Sequence, residues 1–278
     1  MRRTAERGRA AGGRRVPAAR ARAATRAAAP DSAPAERLQK VLARAGFASR
    51  REAEAWIRAG RLTINGTPAA LGAKVSPGDS VRLDGRLVRA REVSDAHVYL
   101  CHRSPGEPLT GGTSTGATAQ QARTGLLERL PRRAGRRFIA VSPMPRVDGG
   151  LELVTSDGEL AVRLQRAAHT LASVFGVRVR GELNPTQRQG ILGGVLDSGA
   201  QLEVHSLEGA GGEGLNRWYT LSARGASGKE VRQLFERQGA LVSRLMRTHF
   251  GPVTLERSLG RGRFRELTQE ELGALLAL

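Results

Sequence analysis

Cysteine is almost missing from this chain of 278 residues: Cys101 stands alone. An intrachain disulfide framework is excluded, and a reducing compartment fits, so the cytoplasm is the expected location. Cys101 lies in the run Val98-Tyr99-Leu100-Cys101, which reads as a buried strand and makes it a packing residue, not a nucleophile. Aromatic residues make up only 4%, and acidic residues are outnumbered 26 to 45 by lysine and arginine. No apolar run approaches the roughly 18 residues of a membrane span. The first residues lack the apolar core of a secretory signal, so neither membrane nor export is expected.

What is there is positive charge, a formal +19. Such an excess points to a polyanion, most simply nucleic acid. Arginine far outnumbers lysine, which suits phosphate recognition and a GC-rich coding bias equally. The length suits one or two domains with a sizeable core. Residues 1–34 are mostly Arg, Ala, Gly and Pro. Lacking bulky apolar side chains, they cannot offset their ordering entropy and are expected to be a disordered basic tail.

From Glu36 the pattern becomes regular. Leu38, Val41, Leu42 and Ala45 keep helical spacing up to Gly46, and Ser49-Arg50-Arg51-Glu52 is a capping box opening a second helix. A strand follows at Arg61–Ile64, then the hairpin dipeptide Asn65-Gly66 and a turn at Ser76-Pro77-Gly78-Asp79. Two helices followed by hairpin strands, with these motifs, resemble the S4 RNA-binding domain, here over 35–91. The resemblance implies a helical face for structured RNA. Arg37, Lys40, Arg44, Arg50, Arg51 and Arg58 lie off the apolar stripes of the two helices and are the candidate phosphate contacts. Residues 92–97 read as a linker, and Gly111 to Ala119 as a mobile loop. Arg132, Arg133, Arg136 and Arg137 form a basic cluster.

The remainder, 98–278, is organised around residues 142–160. Gly149 and Gly150 lead a loop into an alternating strand at Leu151, Leu153 and Thr155, and Asp157-Gly158 then turns the chain into a helix. Further strands are expected at Val174–Glu182, Val195–Val204 and Asn216–Ser222, with helices at Pro185–Leu192 and from Gly228. Gly150-Leu151 with Val154-Thr155-Ser156-Asp157-Gly158-Glu159-Leu160 is similar to the core signature of bacterial ribosomal RNA pseudouridine synthases that carry an S4 domain (the RsuA/RluB type). The likeness continues through Val174–Glu182, Gly228–Glu236, Val242–Arg247 and Gly251-Pro252-Val253.

Membership implies an α+β chain, a small S4-like domain followed by a mixed or antiparallel-sheet synthase domain. It also implies isomerisation of a flipped uridine by a carboxylate, with no metal or cofactor, on ribosomal RNA or a ribosome precursor, by a monomer. The family's loop reads Gly-Arg-Leu-Asp. Ungapped counting sets Ser142-Pro143-Met144-Pro145 on it, whereas a shift of three sets Pro145-Arg146-Val147-Asp148 there and keeps Arg and Asp. The catalytic candidates are then Asp148 as the carboxylate and Phe175, at the family's tyrosine position, against the base. Ser227 stands where the carboxylate's arginine partner belongs, leaving Lys229 as the substitute. Arg146 and Arg232 join the candidate RNA contacts. Two readings stay open: an active synthase, or a catalytically degenerate relative that binds ribosomal RNA or assists ribosome assembly.

Overall fold

The computed structural model describes residues 34–88, 97–111, 125–131, 137–212 and 214–277. The basic tail before residue 34, most of the 92–97 linker, the loop after Gly111 and the cluster Arg132, Arg133 and Arg136 lie outside the described residues.

The chain begins with β1 (Glu36–Arg37), α1 (Leu38–Arg44), α2 (Arg50–Arg58), β2 (Leu62–Ile64), β3 (Thr67–Pro68), β4 (Lys74–Val75), β5 (Val81–Leu83) and β6 (Arg86–Leu87). Ser49 opens α2 as its sequence suggests. Its hydroxyl accepts the Glu52 amide at 3.0 Å, while its own amide donates to Glu52 at 3.3 Å. Asn65 and Gly66 take φ of 51° and 86°, the positive values that a two-residue hairpin turn demands. They join β2 to β3 in an antiparallel sheet of order β3-β2-β5-β6, and β1 pairs separately with β4. Leu38, Leu42, Ala53, Ile57, Leu62 and Val81 form the small core.

A second, nine-stranded sheet follows. Its elements are β7 (Val98–Arg103), β8 (Ile139–Val141), β9 (Gly149–Thr155), α3 (Gly158–Ala167), β10 (Ala172–Arg180), α4 (Pro185–Leu192), β11 (Glu203–Gly209), β12 (Asn216–Arg224), α5 (Gly228–Arg237), β13 (Val242–Phe250), β14 (Val253–Thr254), β15 (Phe264–Glu266) and α6 (Gln269–Leu276). The order is β11-β12-β10-β13-β9-β7-β15, with β14 on β13 and β8 on β9. Every pairing is antiparallel except β13 with β9, so the sheet is mixed, and the parallel seam lies at its centre. There Gly149 and Gly150 meet Met246 and Arg247, and the loop ending at Asp148 is delivered to the middle of the sheet.

One face of β12, β10 and β13 packs Tyr219, Leu221, Phe175, Val177 and Leu245 against Val231, Leu234 and Phe235 of α5. β9 is buried on both faces. Leu151 and Leu153 meet α3 and α6, while Val154 joins Tyr99, Cys101, Leu126 and Leu130. Cys101 is fully buried, and burial pushes its thiol pKa up, consistent with a packing role.

One strand expectation is corrected. Residues 195–202 do not extend a strand; β11 starts only at Glu203. Gly194 and Gly199 at φ 70° and 80° fold the segment into a turn, Leu196 donating to the Ala200 carbonyl at 2.8 Å. The aliphatic residues at 195 and 196 had imitated strand spacing. Among the described residues no helix is long and apolar enough to cross a membrane.

Candidate active site

The loop from Ser142 to Asp148 is short and stiffened by Pro143 and Pro145. It turns back on itself where the Asp148 amide donates to the Pro145 carbonyl at 3.0 Å. The glycines after it are sterically required. A Cβ on Gly149 would stand 2.5 Å from the Arg103 carbonyl oxygen, and one on Gly150, at φ 96°, 2.3 Å from that of Arg247. Any side chain would push the loop off the sheet.

Asp148 is wholly buried, and its carboxylate is held by Arg232. Nε donates to Oδ2 at 3.2 Å and Nη2 donates to Oδ1. This bidentate fork raises the arginine's pKa above its ordinary value, the hydrogen bond to Asp148 being the main cause. Helical spacing explains how it is built. Gly228, at the start of α5, packs so close to the loop that a Cβ there would stand 2.5 Å from Met144 Sδ and 2.9 Å from Pro145 Cδ. Arg232 lies four residues on, on the same helix face, and so reaches the carboxylate.

The expected partner, Lys229, points elsewhere. It is exposed and, among the described residues, has no ion pair with Asp148. Arg232, assigned from sequence to RNA contact, takes that place. Ser227 has a different task. It caps α5, accepting the Glu230 amide at 3.3 Å and donating to the Glu230 carboxylate at 2.6 Å. The Ser-x-x-Glu spacing 227–230 was the available signal for that cap.

Beneath the loop lies a buried Arg–Glu–Arg cluster that sequence reading missed. Arg103, Glu152 and Arg247 are all at most 2% exposed. Arg103 Nε stands 3.1 Å from Glu152 Oε1, and Arg247 Nη2 stands 3.4 Å from Oε2. The cluster grips the loop's backbone. Arg103 Nη2 donates to the carbonyls of Met144 and Pro145, each at 2.6 Å, and of Asp148 at 3.3 Å. The Met144 amide donates to Glu152 at 3.0 Å, and Arg247 donates to the Leu151 carbonyl at 2.9 and 3.0 Å. Burial raises the Glu152 pKa and lowers that of Arg247, each charge partly offsetting the other's desolvation.

Phe175 has no exposed surface. It sits in the core cluster that also contains Met144 of the loop and Val231 of α5. It is therefore a floor under the loop, not a ring open to solvent. Arg146 is exposed beside Val147, and the loop is tied to a neighbouring turn by the Gly106 amide donating to the Arg146 carbonyl at 2.8 Å.

Arg37, expected on the first helix, lies instead in β1 just before it; it, Arg50 and Arg51 are exposed and have no ion pair among the described residues. Arg44 and Arg58 are exposed but bound to Glu36 at 2.7 Å and Glu54 at 3.8 Å. Lys40 donates to Glu36 at 3.1 Å and also reaches Glu159 at the start of α3, at 2.8 Å. Beside that contact a cavity of about 280 Å³ is lined by Arg44, Arg50, Arg137 and Asp157.

Residues 36–81 match the family model described as "S4 domain". The ribosomal large subunit pseudouridine synthase B of Escherichia coli K12 is 37% identical over 236 residues, covering 84% of this chain and 79% of that protein. The chain belongs to the pseudouridine synthase family. The Pseudomonas aeruginosa protein of the same name is 39% identical over 243 residues, and there the match spans 86% of this chain but only 61% of the relative. A solved pseudouridylate synthase superposes with a TM-score of 0.55 at 20% identity, over 86% of this chain and 99% of that one, which shows the shared fold. In this pseudouridine synthase fold, then, an S4 domain precedes the nine-stranded sheet.

Proposed function

We propose that this chain isomerises uridine to pseudouridine in ribosomal RNA, with Asp148 as the catalytic carboxylate. The supporting observation is the Asp148–Arg232 pair at the central seam of the sheet, where the loop preceding β9 ends. An enzyme of this kind needs a carboxylate fixed against a flipped nucleoside, because the glycosidic bond must break and re-form through carbon. Arg232 orients that carboxylate. The cluster of Arg103, Glu152 and Arg247 fixes the backbone that carries it.

The buried position of Asp148 sets a requirement. Uridine reaches the carboxylate only if the 142–148 loop shifts, and that shift also opens Phe175 for contact with the base. Arg146 and Val147, exposed on the loop, meet the RNA first. Residues 35–91 act as the RNA-docking domain, residues 92–97 as the linker and 98–278 as the synthase domain, preceded by the basic tail. Arg37, Arg50 and Arg51 are the open phosphate contacts, and Lys40, Arg44 and Arg58 exchange their acidic partners for phosphate on binding. The protein works as a cytoplasmic monomer without metal or cofactor.

The test is a map of pseudouridines in ribosomal RNA from a strain lacking the gene. Loss of one site, restored by the wild-type gene and not by Asp148→Asn, supports the reading. An unchanged map together with retained RNA binding would leave the alternative, a family member that binds without chemistry.

A further inference from the structure

The helices α4 and α5 cover only one face of β12, β10 and β13. The opposite face carries a row that the register places side by side: Trp218 opposite Arg178, and Arg178 opposite Arg244. The next row is Thr220, Gly176 and Met246. All six residues are partly exposed. The six-membered ring of Trp218 leans over Gly176. A Cβ there would stand 3.6 Å from the indole, in ordinary contact. The Arg178 guanidinium lies 5.8 Å from the Trp218 ring centre, and its Nε donates to the Ser243 hydroxyl at 2.9 Å.

Two features of this row point to a ligand. Like charges directly opposite on neighbouring strands destabilise a sheet, yet Arg178 and Arg244 are paired so. Among the described residues neither has an acidic partner. A tryptophan at the end of a row of arginines on an open sheet also has the composition of a base-stacking platform beside phosphate contacts. The N-terminal residues of the chain are themselves rich in arginine and carry charge of the same sign.

We propose that this face binds single-stranded RNA, with a base stacked on Trp218 and phosphates on Arg178, Arg244 and the exposed Arg180. The proposal rests on the RNA-directed reading above and adds a second contact to it. Asp148 and α5 lie on the other face of the sheet, so the RNA held here flanks the reacting nucleotide and lies outside the active-site cleft.

The experiment uses the full chain carrying Trp56→Phe, so that its remaining tryptophan, Trp218, reports alone. A twelve-residue oligouridylate is titrated against emission, with polyglutamate as a polyanion control and a ribosomal RNA hairpin to probe the S4 surface. The oligouridylate should quench Trp218. Trp218→Thr should weaken its binding about tenfold, Trp218→Tyr should largely restore it, and Arg178→Gln with Arg244→Gln should flatten its salt dependence. Circular dichroism melts confirm folding, and the Tyr and Gln variants test the idea even if Trp218→Thr does not fold. An unquenched Trp218, or equal quenching by polyglutamate, overturns the proposal. If the hairpin still binds and Arg50→Ala/Arg51→Ala abolishes that binding, only this face is refuted. If wild type binds neither RNA, the RNA reading falls with it.

Discussion

Arg232 holds both carboxylate oxygens of Asp148 from a position 84 residues later in the chain. The carboxylate has no exposed surface, and the arginine is 20% exposed. Removing one member of such a pair strands a buried charge, which costs about 3–5 kcal/mol. Arg232→Leu should therefore lower unfolding stability by about that amount, and Arg232→Lys by less, since the charge survives without the fork. Urea titrations of both variants, with the double variant Asp148→Asn/Arg232→Leu, check the pairing. The double variant should recover part of the loss.

Gly228 tests how closely α5 must approach the loop. Alanine there gains helix propensity, up to about 1 kcal/mol. Its Cβ, however, would crowd Met144 Sδ and Pro145 Cδ. Crowding of this kind costs about 1–3 kcal/mol. The crowding outweighs the propensity gain by up to about 2 kcal/mol, so the melting temperature should fall modestly, while turnover falls further as the loop is pushed aside. Comparing the melting temperature with single-turnover rates separates the two.

Arg103→Lys should loosen the loop without unfolding the domain. Lysine keeps a positive charge near Glu152 but cannot span the carbonyls of Met144 and Pro145 as the guanidinium does. Hydrogen bonds from a charged donor are worth about 1.5–3 kcal/mol each. Faster amide exchange at Asp148, whose amide bonds to Pro145 within the loop, is the expected readout. Protection equal to wild type would remove the cluster from the positioning role.

Glu271 predicts an acid-dependent term. Its pKa is lowered, first by the side-chain hydrogen bonds from Arg265 at 2.7 and 2.8 Å, which tie β15 to α6. A depressed carboxylate contributes stability above its unfolded value, near 4.3, and loses it as pH falls through the folded value. Glu271→Gln should therefore be less stable than wild type at pH 7, and the gap should narrow as the pH falls below the unfolded value and close once it has passed the lowered folded value. Thermal melts of the two proteins across that range measure it.

Much of the fold was legible because local signals agreed with tertiary ones. The capping box at Ser49, the Asn65-Gly66 turn and the Pro185–Leu192 helix follow from short-range chemistry and appear where expected. Residues 195–202 failed because two aliphatic residues in a glycine-framed turn imitate strand spacing. The site was only half legible. Gly149 and Gly150 could be read as conformationally special, but the partner of Asp148 could not, since no local pattern links positions 148 and 232. Counting along a motif favoured Ser227 and Lys229, whereas the helix face beginning at Gly228 selects Arg232. The buried Arg103, Glu152 and Arg247 are scattered along the chain and meet only through the central sheet.

The most direct measurement is release of the uridine carbon-5 hydrogen from a ribosomal RNA fragment in single turnover, run on wild type and Asp148→Asn together. An amide keeps the shape of the carboxylate but cannot attack or take a proton. The expected result is release by wild type, and a loss of at least a hundredfold in the variant, with affinity for the fragment nearly unchanged. Undiminished release by Asp148→Asn would show that the catalytic carboxylate lies elsewhere.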